Sequence, residues 1–275
     1  MKDSELKNIA KEIRIDVLKM LNTAKSGHTA GAMGLADIFA VLYFDIMNHN
    51  PLQPDWLARD FLILSNGHVC PVMYATLSLA NYFEKDKLFD LRKINSMLQG
   101  HPSKNISIGI ENSSGSLGQG ISYAVGLAAS LKRDKKKNKV FTIVGDGELQ
   151  EGECWEAFLF AAKEQLDNLY VIVDRNFIQI DGNTEDVSSL EKLSKKMASF
   201  NFKTIEFDGN NISQIRHAIK ESFKIKGRPI CLIANTIAGK GVSFMENDFN
   251  WHGKAPDDNE LKIALNELCL DENGK

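Results

Sequence analysis

Apolar residues recur at Ile9, Ile13, Ile15, Val17, Leu18 and Leu21, a spacing close to that of one helical face. Gly27 stands where that helix is expected to close. A second helix is predicted over about 35–46, ending before the turn-rich Asn48-His49-Asn50-Pro51. The pattern then changes to a short unbroken run, Phe61-Leu62-Ile63-Leu64, followed at once by Ser65-Asn66-Gly67-His68. Continuous apolar runs of this length suit strands covered on both faces of a parallel sheet.

The same alternation repeats three times. Residues 140–144 run into Gly145-Asp146-Gly147, residues 169–173 into Asp174-Arg175-Asn176, and residues 229–234 into Asn235-Thr236 and a glycine-rich stretch. Helical patterns occupy about 119–132, 153–165 and 212–224, and an acidic helix about 257–268. Strands alternating with helices predict an α/β fold: one doubly wound, mostly parallel sheet with helices on both faces, as a single domain over 1–275. The polar and glycine-rich segments all fall at the carboxyl ends of the strands, the edge where open α/β sheets bind ligands.

Composition narrows the partners. The 275 residues carry 33 Lys and Arg against 36 Asp and Glu, a net charge of −3. That balance argues against nucleic acid or an anionic membrane as the main partner. The basic run Lys132–Lys139 reads as a solvated helix end, where cations suit the helix dipole. Cys70, Cys154, Cys231 and Cys269 show no paired spacing and suggest neither a zinc site nor a disulfide framework. The N-terminus carries no apolar targeting core, and no run approaches a membrane span, so a cytoplasmic location is expected.

The candidate chemistry centres on Gly145-Asp146-Gly147-Glu148 and on Asn176, with 28 residues between Gly147 and Asn176. That interval holds one crossover helix and the next strand, placing Asp146 and Asn176 at the tips of neighbouring strands. A carboxylate, an amide oxygen and a main-chain carbonyl are hard ligands of the kind Mg²⁺ accepts, with phosphate oxygens and water completing its shell. Flanking glycines let the backbone approach a diphosphate closely. An isolated Asp-Gly is usually only a turn; the preceding strand and the Asn one crossover later give it more weight.

These residues resemble the thiamine diphosphate enzymes, whose signature is Gly-Asp-Gly followed by Asn after a similar interval. The longer text 145–157 is similar to the transketolase version, as are Ser26-Gly27-His28, Ser65-Asn66-Gly67-His68, Gly100-His101-Pro102, the 115–120 Gly-Ser-Leu-Gly-Gln-Gly loop and Trp251-His252-Gly253-Lys254-Ala255-Pro256. The resemblance implies thiamine diphosphate and Mg²⁺ as cofactors, with Ca²⁺ or Mn²⁺ able to substitute. It implies Asp146, Asn176 and the Ile178 carbonyl as metal ligands, and Gly145, Gly147 and Glu148 lining the diphosphate pocket. Gly115, Leu117 and Gly118 would form the loop supporting the aminopyrimidine. His68 and His252 would reach toward the diphosphate or reacting centre, and His28 and His101 would face substrate. Glu151 either favours the start of a helix or, as in the family, joins a carboxylate network between paired sites. His49 and His217 lack such context.

The chain departs from the family at Thr29-Ala30, where Pro-Gly is usual, and at Arg175, which is bulky beside Asn176. The family also needs a pyrimidine-binding domain that supplies an activating Glu, and 23 residues follow His252. The expectation is the N-terminal subunit of a split transketolase, moving a two-carbon ketol unit between sugar phosphates. A separately encoded C-terminal subunit would complete it, in a heterotetramer of two copies of each. The alternatives are a related enzyme using another ketose donor, a decarboxylating synthase similar to 1-deoxyxylulose 5-phosphate synthase, or a non-catalytic Mg-diphosphate-binding module.

Overall fold

The four apolar runs become four neighbouring parallel strands. The structure, a computed structural model, describes residues 1–270. In chain order it contains α1 (Asp3–Ala24), α2 (Ala30–Gly34), α3 (Ala36–Val41), β1 (Phe61–Leu64), α4 (Cys70–Leu79) and α5 (Gln119–Arg133). These are followed by β2 (Val140–Gly145), α6 (Gly152–Lys163), β3 (Leu169–Arg175) and a small hairpin of β4 (Ile178–Gln179) and β5 (Gly182–Asn183). The chain continues with α7 (Thr184–Val187), α8 (Leu193–Ser199), β6 (Lys203–Asp208), α9 (Ile212–Ser222), β7 (Ile230–Asn235) and α10 (Asp258–Leu270).

The main sheet has the order β1-β2-β3-β7-β6, parallel throughout. Side chains alternate between two apolar layers. Leu62, Phe141, Tyr170, Ile172 and Leu232 face the layer of α1, α3, α4 and α9. Ile63, Val144, Val171, Val173 and Ile233 face the layer of α5, α6 and α8. Covering both faces removes any need for polar residues in these strands, which is the predicted doubly wound architecture.

Three local expectations differ. The 35–46 helix begins earlier, at Ala30, breaks at Leu35, and ends in one π-helical turn over Leu42–Ile46. Lys25, rather than Gly27, takes the left-handed position (φ 53°) that closes α1. Strand β6 has no counterpart in the apolar pattern: it is an edge strand whose Lys203, Glu206 and Asp208 interrupt any apolar run.

The register sets the site. Gly145 pairs with Asp174, and Arg175 pairs with Asn235, so Asp146, Asp174 and Thr236 emerge together at one carboxyl edge. No helix among the described residues is long and apolar enough to cross a membrane.

Candidate active site

A cavity of about 430 Å³ opens at this edge. Its floor comes from the ends of β2 and β3. Asp146 is 1% exposed; its Oδ1 accepts from the Gly147 N–H at 2.8 Å and its Oδ2 from the Phe177 N–H at 2.8 Å. Arg175 donates to Oδ2 at 3.1 Å. Burial holds the Asp146 carboxyl above the usual range, and the Arg175 guanidinium opposes that effect.

Asn176 is clamped at both ends of its amide. Its Nδ2 donates to Asp174 Oδ2 at 2.8 Å and its Oδ1 accepts from the Ile178 N–H at 3.1 Å. Phe177 between them adopts φ 64°, a left-handed turn that folds Ile178 back into the cavity wall. Asp174 also accepts from the Thr236 hydroxyl, tying β3 to β7. Burial, helped by the Asp146 charge and opposed by the Thr236 and Asn176 hydrogen bonds, raises its pKa to about 7.

Among the described residues no three His, Cys, Asp or Glu side chains converge on a metal position. A cation bound at this corner would have to draw on the Asp146 carboxylate with amide and main-chain oxygens, a set that suits a hard cation taking further oxygens from a ligand.

Glu148 lines the cavity, yet its carboxylate serves the scaffold. It accepts from Ser65 Oγ at 2.5 Å, the Gly118 N–H at 2.8 Å and the Gly145 N–H at 3.0 Å. One buried side chain thus joins the ends of β1 and β2 to the start of α5. Gly118, expected in the aminopyrimidine loop, is buried beneath it, while Gly115 and the 36%-exposed Leu117 line the cavity. Glu151 lies on the rim at the start of α6, with no side-chain cap bond to that helix.

The opposite wall is imidazole. His28 lies 4.9 Å from His68, 5.4 Å from His252 and 6.4 Å from His101 between ring centroids, and His68 lies 5.2 Å from His252. Four loops distant in sequence place them together. Burial, reinforced by the neighbouring imidazoles, pushes His28 down to about 4 and His68 to about 3. Burial also lowers His252, and burial with Arg92 lowers His101. All four shifts run toward the uncharged imidazole. His49 and His217 lie elsewhere: His49 contacts Tyr43 and Tyr82, and His217 is on α9.

Both sequence departures have a physical place. The Thr29 hydroxyl donates to the Lys254 carbonyl at 2.5 Å, fastening the His28 loop to the His252 loop. Arg175 is buried and pairs with Asp146, Glu185 and Glu191.

Asn66 also lines the cavity, although an asparagine in a turn carries no signature of such a role in the sequence. Both of its side-chain polar atoms, and His28 Nδ1, are buried without a partner. Buried polar groups are normally satisfied, and these atoms stand at the cavity with hydrogen-bonding capacity to spare. A Cβ at Gly115 would meet nothing within 4 Å, so protein packing does not require glycine there. Both observations fit a polar cofactor filling the cavity. A larger hollow of about 550 Å³ around Ser78–Lys87 lies away from these groups.

The chain has relatives among known proteins. The family described as transketolase, thiamine diphosphate binding domain, matches residues 5–274. The chain is 38% identical over 264 residues to the 6-deoxy-6-sulfo-D-fructose transketolase subunit SqwG of Clostridium sp. (strain MSTE9), covering 96% of each chain. It is 38% identical to one of the apulose-4-phosphate transketolase subunits of Actinobacillus succinogenes, again covering 96% of each. The solved transketolase from Campylobacter jejuni superposes with a TM-score of 0.91 at 30% identity, covering 98% of this chain and 43% of that one.

Proposed function

The chain belongs to the transketolase thiamine diphosphate-binding family, and we propose that it is the diphosphate-binding subunit of a two-subunit transketolase. The observation that carries this is the pairing of the Asp146–Asn176–Ile178 corner with a wall of four imidazoles across one cavity.

In this reading Asp146, the Asn176 amide oxygen and the Ile178 carbonyl would hold Mg²⁺, and Gly145 and Gly147 would leave room for the diphosphate. When bound, thiamine diphosphate supplies the nucleophilic carbon and the electron sink for carbon–carbon cleavage. Asn66 offers its unspent hydrogen-bonding capacity to the bound group, and His68 and His252 close that side. His28 and His101 face the sugar. As uncharged imidazoles they accept the donor's hydroxyl proton as the adjacent carbon–carbon bond breaks, and they return it to the acceptor. Glu148 and Thr29 position these loops without touching the reacting atoms.

A separately encoded subunit supplies the pyrimidine-binding domain and its activating Glu, in a complex of two copies of each, located in the cytoplasm. The substrates are anionic ketose donors and aldose acceptors, phosphorylated or sulfonated. The relatives named as subunits, which this chain covers almost entirely, support a separate partner. Calorimetric titration of thiamine diphosphate into the complex, with and without Mg²⁺, tests the site. Binding should require Mg²⁺ and fall at least about tenfold in Asp146→Ala, the scale of losing one charge-assisted ligand. Equal binding in the variant would overturn the assignment.

A further inference from the structure

Arg92 sits in a left-handed conformation (φ 63°), which a residue with a Cβ seldom adopts. Its N–H donates to the Leu98 carbonyl at 2.9 Å, closing the loop that leads to His101. The guanidinium forms no hydrogen bond and no ion pair with any described residue. It instead packs against Gly100 and reaches toward Gly27. A Cβ on Gly100 would lie 2.8 Å from Arg92 Cζ and 2.9 Å from Nε; a Cβ on Gly27, which would first meet Leu21 Cδ2 at 2.4 Å, would lie 3.9 Å from Nη2. Gly100 directly precedes His101 and Gly27 directly precedes His28. In the same segment, Tyr74 Oη donates to the Gln99 carbonyl at 2.8 Å and Cys70 Sγ to the Gly100 carbonyl at 3.3 Å. The segment entering His101 therefore meets two polar anchors and one planar cation.

We propose that Arg92 is a positioning residue for the substrate end of the cavity: its guanidinium wedges between the backbones that enter His28 and His101 and sets a fixed positive charge beside both rings. The inference rests on reading those two histidines as substrate-facing. The charge opposes protonation of either ring. The charged and titratable groups acting on His28 are His252, His101 and Arg92, with the His68 ring in contact, while Arg92 acts on His101. Among the described residues no acidic group acts on either ring to offset the guanidinium. A guanidinium stays protonated throughout the physiological range, so the bias toward uncharged imidazole is permanent.

The test needs no substrate, which keeps it separate from the assignment of activity. Imidazole proton resonances of the full chain are titrated by NMR in the wild type, Arg92→Gln and Arg92→Lys, with His49 and His217 as internal controls. In Arg92→Gln the His28 and His101 midpoints should rise by about half a pH unit, the size expected for one nearby, partly screened charge. In Arg92→Lys they should stay near the wild-type values, while amide exchange across 98–101 quickens because an ammonium lacks the planar wedge. Unchanged midpoints in Arg92→Gln, or equal shifts in both variants, would overturn the proposal.

Discussion

Arg175 donates to Asp146 Oδ2 at 3.1 Å in a pair whose two side chains are each 2% exposed. The same guanidinium reaches Glu185 and Glu191 and stacks 4.1 Å over the Phe177 ring. The carboxylate corner of the site and the 185–191 segment therefore share one cation.

Removing that cation leaves a buried carboxylate uncompensated, which typically costs about 3–5 kcal/mol. Arg175→Leu should lower the urea midpoint accordingly and speed amide exchange across 185–191. A change below about 1 kcal/mol would show that the pair contributes little.

Two glycines separate the cavity's needs from the scaffold's. A Cβ at Gly120 would lie 2.5 Å from Ser65 Cα, a main-chain atom that cannot swing aside, whereas one at Gly115 meets nothing. Gly120→Ala should destabilise by about 3 kcal/mol or more through overpacking. Gly115→Ala should leave thermal stability unchanged while weakening thiamine diphosphate binding by calorimetry, because its methyl takes ligand space. Equal stability losses would remove the distinction.

The histidine wall predicts acid sensitivity. His28 and His68 are held at about 4 and about 3 when folded, against about 6.5 in an unfolded chain. Above about pH 6.5 both states are uncharged and nothing is lost. As pH falls from about 6.5 toward 4, only the unfolded state gains protons, so stability declines through that window. At about pH 5 the loss should be roughly 1 kcal/mol or more per histidine. Urea unfolding of the wild type and His68→Asn at pH 7 and pH 5 checks this: the variant should lose less. Identical pH slopes would contradict it.

How far the sequence foretells this structure depends on which force shaped each element. Strands β1, β2, β3 and β7 are legible because burial on both faces demands unbroken apolar runs. Strand β6 is not, since its edge position admits Lys203 and Glu206. Helix α4 is buried along nearly its whole length, so Cys70–Leu79 shows no polar face and no helical period. Asp146, Asn176 and the four site histidines stand out through glycine-rich motifs. Asn66 lies inside the Ser65-Asn66-Gly67-His68 motif, yet its own part, like that of Arg92, rests on unpaired buried atoms and a close glycine contact that only the folded chain reveals.

The most direct test of the proposed half-site is ketol transfer from xylulose 5-phosphate to ribose 5-phosphate, with thiamine diphosphate and Mg²⁺ present. The purified chain alone should show no turnover. Adding the pyrimidine-domain subunit should produce it, and Asp146→Ala should abolish it again. Full turnover by the chain alone would contradict the account.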